Sequence, residues 1–297
     1  QPPPPEPPQP YEPLAAEPLP NLKLAAARFA EALLTYPVGA SSRDVVAAAL
    51  GAAPATSSIA AVARVAAPLF PPGAGSQGRV IYPQFGGLQP LGPAARRASI
   101  MVVVEQRLVP DSGEPRSVTR TMDVRLRVDG GKWKAWSLYS AGGTEIPRPA
   151  GLPAHAARVL DDRRIELADT ARWDVHAGLI DERVLRTMSA VAERLAISVA
   201  VLRTGHPYNV FGEKGRVSSH TVGRAVDVWA VDGIPVVEQA RRGTPPWKVV
   251  GRLLDTRRVT QVGSPFDRDP PPPNSRSFSD TVHSDHIHIG VGPRRRR

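Results

Sequence analysis

The chain has 297 residues, a hydrophobic fraction of 41% and a formal net charge of +10. It contains no cysteine, which excludes disulfides and thiolate-bound zinc, and no run of about 18 apolar residues, which excludes a membrane-spanning helix. The length predicts two domains, and the charge permits attraction to polyanions such as a bacterial cell wall, although no sequence motif indicates specific nucleic-acid binding.

The first segment, residues 1–20, holds ten of the 33 prolines and predicts an extended low-complexity tether. Neither a methionine nor a signal peptide is visible at Gln1. We therefore expect a processed or truncated form of an extracytoplasmic protein, secreted or held in the cell envelope, with an export signal or anchor upstream of Gln1.

Residues 21–145 predict an α+β accessory domain of helices followed by an antiparallel sheet. A first helix should end before Pro37, a second should run from its cap at Ser42 to Leu50, and a third should cover 58–67. Valine-rich and alternating segments then predict strands at 100–109, 118–128 and 133–139. The order resembles the cone-shaped fold of nuclear-transport-factor-like domains, and binding, spacing or positioning is its expected role.

A joint rich in proline and glycine at 142–153 separates this part from a second predicted domain, residues 154–293, and a basic tail at 294–297. Asp181 is expected to cap a helix, and a further helix is expected at 246–254. A polar loop at 267–280, with four consecutive prolines, should form one wall of a substrate groove. Strands are predicted at 197–202, 225–231, 259–262 and 286–291.

Two short segments of the second domain gather a carboxylate and four of the seven histidines. Residues 218–227 follow the pattern S-x-H-x-x-G-x-A-x-D, and residues 283–288 follow H-x-x-H-x-H. Imidazole and carboxylate are ligands that zinc takes. Asp227 and His288 lie in predicted strands, and pairing of these strands would bring the two side chains together.

The two motifs resemble those of the zinc D-Ala-D-Ala carboxypeptidase and murein endopeptidase family, which shares its fold with lysostaphin and the hedgehog signalling domain. The resemblance covers about the last 120 residues. It implies an antiparallel sheet with helices and one Zn²⁺ held by His220, Asp227 and His288. It also implies hydrolysis of a peptidoglycan stem peptide or cross-link by metal-activated water, with carboxypeptidase and endopeptidase action both left open. Anionic cell-wall polymers are further expected partners.

The resemblance assigns the catalytic work to Asp285 and His286. An acidic residue at the position of Asp285 is the base in related carboxypeptidases, and His286 matches a histidine that contacts the reacting oxygens. The base is either Asp285 or a histidine, and Asp285 could instead hold a histidine in the correct tautomer. On a regular strand Asp285 would point away from His286, so the role of base requires an irregular backbone there.

Substrate contacts are expected from Arg203, His283 and Ser218. Relatives carry a substrate-gripping arginine just after a Ser-Gly-aromatic turn. Here the corresponding turn at 204–206 is followed by Pro207, so Arg203 is the nearest replacement. His206 is expected either as a turn residue or as a residue that lines the site.

Two rival functions remain open from the sequence. The second domain could be a non-catalytic zinc-containing module that binds the cell wall or a partner, and a fourth protein ligand would then close the metal site. Alternatively, the chain is a basic scaffold protein whose N-terminal domain carries the function.

Overall fold

The computed structural model describes residues 8–51, 56–90, 96–213, 215–270 and 275–293. Over these ranges the chain is an α+β protein with a four-stranded sheet and a seven-stranded sheet. We use "N-terminal region" for residues 8–141 and "C-terminal region" for residues 154–293. None of the helices in the described ranges has the length and apolar character that crossing a membrane requires. The basic tail expected at 294–297 lies outside the described residues.

The N-terminal region has three helices that pack on one face of an antiparallel meander with the strand order β1-β2-β3-β4. The second helix is capped by Ser41, whose Oγ accepts a hydrogen bond from the backbone N–H of Asp44, and not by Ser42 as the sequence predicted. The elements are α1 (Pro20–Leu34), α2 (Ser42–Leu50), α3 (Thr56–Ala66), β1 (Ala74–Pro90), β2 (Arg96–Pro110), β3 (Arg116–Asp129) and β4 (Lys132–Ser140).

Strand β2 is buried on both faces, which explains its continuous apolar sequence. Ile100, Val102 and Val104 belong to the hydrophobic core under the helices. Val103 points the other way and packs against Ala200 of the C-terminal region. The N-terminal sheet therefore lies between its own helices and the C-terminal region.

Strand β1 was not predicted from the sequence. Its glycines and Pro83 disfavour a regular strand, and its register with β2 shifts between Val80 and Tyr82 and again between Phe85 and Gly87. Proline is tolerated because β1 is an edge strand of the sheet.

The tether expected over residues 1–20 needs correction for its described part. The backbone N–H of Tyr11 donates to Glu31 on α1, and Glu17 is buried in an ion pair with Lys23. At Tyr11 and Glu17 this segment is therefore held against α1. Residues 1–7 lie outside the description.

The C-terminal region contains a sheet with the order β10-β9-β11-β7-β6-β5, and β8 pairs with β7. The expected antiparallel sheet is mixed, because β5–β6 and β9–β10 are parallel pairs; long connections join the members of each pair. Asp181 caps α6 as predicted. The elements are α4 (Ala154–Asp161), β5 (Ile165–Leu167), α5 (Asp169–His176), α6 (Glu182–Ala192), β6 (Ile197–Val201), β7 (Ala225–Val231), β8 (Ile234–Pro235), α7 (Pro245–Asp255), β9 (Gln261–Gly263), β10 (Ser277–Phe278) and β11 (Ile287–Gly290).

The two regions meet through packed and hydrogen-bonded contacts. The rings of Tyr82 on β1 and Trp229 on β7 stack with centroids 4.8 Å apart. The Thr121 hydroxyl on β3 donates to the carbonyl oxygen of Ala200 on β6 over 2.6 Å. The stack of Tyr82 on Trp229 places β1 beside β7, the strand that carries Asp227 of the first motif.

Candidate metal centre

Strand pairing places the candidate ligands next to one another. In the antiparallel pair of β7 and β11, His288 lies directly opposite Asp227, as the strand prediction requires. The chain turns from His220 into β7 at Gly223, whose φ is +67°. A Cβ at Gly223 would lie 1.9 Å from the carbonyl oxygen of Leu179, so only glycine fits this turn.

Three side-chain atoms form a compact donor set. Oδ1 of Asp227 lies 2.9 Å from Nδ1 of His288 and 3.1 Å from Nε2 of His220, and those two nitrogens are 3.2 Å apart. Atoms about 3 Å apart can all lie about 2 Å from one point outside their plane, which is the distance at which zinc binds nitrogen and oxygen. The chemistry and the spacing of this donor set fit a metal ion.

The protonation of these groups suits metal binding. Nδ1 of His220 lies 2.7 Å from the carbonyl oxygen of Leu202, which can only accept, so Nδ1 donates and Nε2 is the nitrogen that faces the donor set. Burial lowers the pKa of His288 to about 4 despite the neighbouring carboxylate. Burial alone would raise the pKa of Asp227, but His220 and His286 hold it well below its ordinary value.

His206 also reaches this centre. Its ring stacks on that of His220 with centroids 4.1 Å apart, and its donor atom lies within 4.8 Å of the donor atoms of His220 and Asp227. His206, His220 and Asp227 form a group that could hold a metal ion. Burial, and then His220, lower the pKa of His206 well below its ordinary value, so the ring is neutral near pH 7.

Asp285 and His286 form a buried pair beside the donor set. Oδ1 of Asp285 lies 2.7 Å from Nδ1 of His286, whose Nε2 is 3.8 Å from Oδ2 of Asp227. The backbone at Asp285 is irregular, with φ −118° and ψ 2°, and it follows a 3₁₀ turn at Val282–Ser284. Burial would lower the pKa of His286, but the carboxylates of Asp227 and Asp285 raise it above its ordinary value.

The other carboxylate oxygen of Asp285 faces the N-terminal region. Oδ2 accepts from the backbone N–H of Phe85 over 2.9 Å and lies 2.6 Å from Nζ of Lys23. The side chain of Asp285 is completely buried. This geometry favours Asp285 as an orienting group for His286 over a base in contact with substrate.

The N-terminal region contributes two residues to the site that were not predicted from the sequence. Nε2 of Gln84 on β1 donates to Oδ2 of Asp227 over 2.7 Å. Lys23 on α1 reaches Asp285. A lysine on the apolar face of a predicted helix was the one visible signal; nothing in the sequence around Gln84 marks its role.

A cavity of about 610 Å³ opens onto the donor set. Ser218 and His283, for which substrate contacts were predicted, line it, and so do Phe278 and Asp280 from the described part of the 267–280 loop. Met101 of the N-terminal sheet also lines it. The cavity is therefore formed by both regions.

Arg203 is placed differently from the expected substrate contact. Its Nε donates to the carbonyl oxygen of Thr221 over 3.0 Å, and it is not among the described residues that line the cavity. Arg216 and Arg276 are cations that do line it. Arg276 is occupied by backbone carbonyls, whereas Arg216 makes an exposed ion pair with Glu213.

Comparison with known proteins gives no match to a protein-family model, a curated protein or a solved structure. The function is therefore inferred from the geometry of the site and from the two motifs.

Proposed function

We propose that the chain is a zinc-dependent peptidase that hydrolyses peptide bonds of peptidoglycan, in a stem peptide or a cross-link. The observation that carries the proposal is the donor set of Asp227, His220 and His288, separated by 2.9–3.2 Å at the base of a cavity of about 610 Å³. His286 lies beside the set and also lines the cavity.

Zinc fits this donor set because two imidazole nitrogens and one carboxylate oxygen are ligands of catalytic sites that keep a position open. When bound, zinc supplies Lewis acidity, which lowers the pKa of water to about 7 and polarises a carbonyl group. The residues around it would hold the ion, orient its ligands and transfer protons. Oδ1 of Asp227 faces the two ligand histidines, and its Oδ2 accepts a bond from Gln84.

In this proposal His286 transfers protons and Asp285 orients it. Nδ1 of His286 is committed to the Asp285 carboxylate, so Nε2 is the nitrogen left to exchange a proton with substrate or to donate to its oxygen. Arg216, at the cavity wall, is the proposed contact for a substrate carboxylate in place of Arg203.

The cellular location, the anionic partners and the fold assignments of the two regions are part of the same proposal. The formal net charge of +10 supports attraction to anionic cell-wall polymers, and a peptidoglycan substrate places the protein outside the cytoplasm. The three helices on one face of a four-stranded meander support the nuclear-transport-factor-like cone. The paired motif strands β7 and β11 support the fold of the zinc peptidase group.

The test is the zinc content of the purified chain, paired with digestion of purified peptidoglycan before and after chelation. We expect about one zinc per chain, and cleavage that is lost on chelation and restored by zinc. His220→Ala and Asp227→Ala should lose zinc and cleavage together. A chain without zinc, or cleavage that survives complete chelation, contradicts the proposal.

A second candidate function is supported by His206. If His206 is a fourth protein ligand, the site is closed and the zinc is structural, as in a module that binds the cell wall or a partner. His206→Ala separates the two functions. An unchanged zinc affinity supports the peptidase, whereas a loss as large as that of His220→Ala, without cleavage by the wild type, supports the binding module.

A further inference from the structure

Among the described residues, the hydrogen bond of the Gln84 side chain goes to Asp227 of the C-terminal region and not to a residue of its own region. Gln84 is completely buried, and its Nε2 donates to Asp227. Among the described residues its Oε1 has no hydrogen-bond partner. Burying a polar amide is unfavourable unless it is hydrogen-bonded. The bond across to Asp227 is therefore the contact that accounts for glutamine at this position.

Lys23 makes a second link of the same kind. Its ammonium group is completely buried and pairs with Glu17 of its own region and with Asp285 of the C-terminal region. The Tyr82 hydroxyl accepts from Lys23 over 3.3 Å and lies 3.3 Å from the backbone carbonyl oxygen of Asp285. A buried charge requires such partners, and Lys23 has them on both sides of the boundary.

These contacts fix the orientation of the two carboxylates of the site, those of Asp227 and Asp285. The bond from Gln84 fixes Oδ2 of Asp227, which leaves Oδ1 toward His220 and His288. Lys23, with the Phe85 N–H, fixes Oδ2 of Asp285, which leaves Oδ1 toward His286. Groups that orient metal ligands typically change metal affinity or activity by about 10- to 100-fold when removed.

We propose that the N-terminal region completes the metal site, with Gln84 as the positioning residue for the ligand Asp227 and Lys23 as the positioning residue for Asp285 and, through it, His286. This inference rests on the proposed function, since it assumes that Asp227 binds a metal. It assigns residues 8–141 a part in the chemistry and not only in binding or spacing.

Gln84→Met tests the first link, because methionine has a similar shape and no hydrogen-bonding amide. We expect zinc affinity of the full chain, measured by competition with a chelator, to fall by about 10- to 100-fold. The absorption spectrum of the cobalt-substituted protein should change as well, because it reports ligand geometry. Should Gln84→Met not fold, Gln84→Leu decides by the same measurements, since it also removes the donor that faces Asp227.

The matched control is Gln106→Met. Gln106 is a completely buried glutamine of the same sheet, but its amide donates to Leu69 O and Ser76 Oγ inside the N-terminal region. We expect zinc affinity within about twofold of the wild type and an unchanged cobalt spectrum. A Gln84 variant that behaves like Gln106→Met overturns the role of Gln84.

The second link is tested by comparing Glu17→Gln with the double variant Glu17→Gln, Lys23→Met. The single variant keeps the pair of Lys23 with Asp285. Relative to the single variant, the double variant removes the positive charge of Lys23; relative to the wild type it removes one charge of each sign, so the net charge of the buried group is that of the wild type. We expect the double variant to keep zinc affinity within about twofold and to lower kcat by about 10- to 100-fold relative to the single variant, with KM nearly unchanged. Equal kcat in the two variants overturns the role of Lys23.

The outcomes separate this inference from the proposed function. Zinc absent from the wild type overturns both. Zinc bound by the wild type with equal affinity in Gln84→Met overturns the positioning role of Gln84 and leaves the peptidase proposal intact. Weaker zinc binding in Gln84→Met supports the positioning role of Gln84 whether or not any peptidoglycan is cleaved.

Discussion

At the residue scale, backbone and carboxylate acceptors determine which nitrogen each histidine presents. His220 donates from Nδ1 to the Leu202 carbonyl, so Nε2 faces the donor set. His286 places Nδ1 on Asp285, so Nε2 faces the side of Asp227. Both rings therefore present Nε2 to the site. Their Nδ1 atoms differ in partner, which is a backbone carbonyl for His220 and a carboxylate for His286.

Asp285→Asn should separate metal binding from turnover. Asp285 contacts none of the three donor atoms, so we expect zinc content to stay near one per chain. The loss of a charged acceptor at Nδ1 of His286 should lower kcat by about 10- to 100-fold. Zinc analysis and steady-state kinetics on the same preparation give both quantities. Full turnover in the variant would remove Asp285 from the mechanism.

Truncation of Arg216 should change KM, whereas truncation of Arg203 should change the stability of the fold. Arg216 lines the cavity, and within the described ranges its side chain is paired with the exposed Glu213, an ion pair that contributes little to stability. We expect Arg216→Ala to raise KM about tenfold for a peptide with a free carboxylate, the loss of one charged hydrogen bond.

Arg203→Ala is the matched comparison, because Arg203 donates to the backbone carbonyl of Thr221 within the first motif. It should leave KM nearly unchanged and lower the free energy of unfolding by about 1 kcal/mol. KM from steady-state kinetics and urea denaturation of both variants check the pair. A large KM effect in Arg203→Ala, and none in Arg216→Ala, would restore Arg203 as the substrate contact.

At the element scale, the part of the site that local patterns could predict is the part built on regular strands. The β-branched run around Asp227 and the alternating residues after His286 predict β7 and β11, and their pairing brings Asp227 and His288 together. Strand β1 has no such pattern, because its glycines, Pro83 and two register shifts remove the alternation. The contact of Gln84 with Asp227 spans 143 positions of the chain, and no local signal encodes a pairing of that range.

The turn at Gly223 gives a stability prediction for the element that carries the first motif. Gly223 and Gly178 both have φ +67°, but a Cβ at Gly178 would meet no atom within 4 Å, whereas at Gly223 it would lie 1.9 Å from the Leu179 carbonyl oxygen. Gly178→Ala should cost about 1 kcal/mol for the left-handed backbone alone. Gly223→Ala should cost about 1–3 kcal/mol more, because the backbone must shift. Urea denaturation of the two variants measures the difference, and equal costs would contradict the close contact.

At the scale of the whole molecule, the buried contacts between the regions predict a single unfolding transition. Separating the regions would leave Lys23 and Asp285 without each other and Gln84 without its acceptor, and breaking one buried ion pair typically costs about 3–5 kcal/mol. An opened state with both regions folded should therefore be poorly populated, so perturbations made in either region should move the same transition.

This coupling can be tested by zinc binding in the C-terminal region and by a core substitution in the N-terminal region. Zinc at about 100 times its Kd should stabilise the folded chain by about 2.7 kcal/mol and raise the calorimetric midpoint by several degrees. Gln106→Met, which acts in the N-terminal core, should lower that same midpoint, because buried backbone and hydroxyl acceptors lose their donor. In both experiments the calorimetric and van't Hoff enthalpies should agree. Two resolved transitions, of which zinc moves only one and Gln106→Met only the other, would show that the regions unfold independently and that their shared contacts are too weak to couple them.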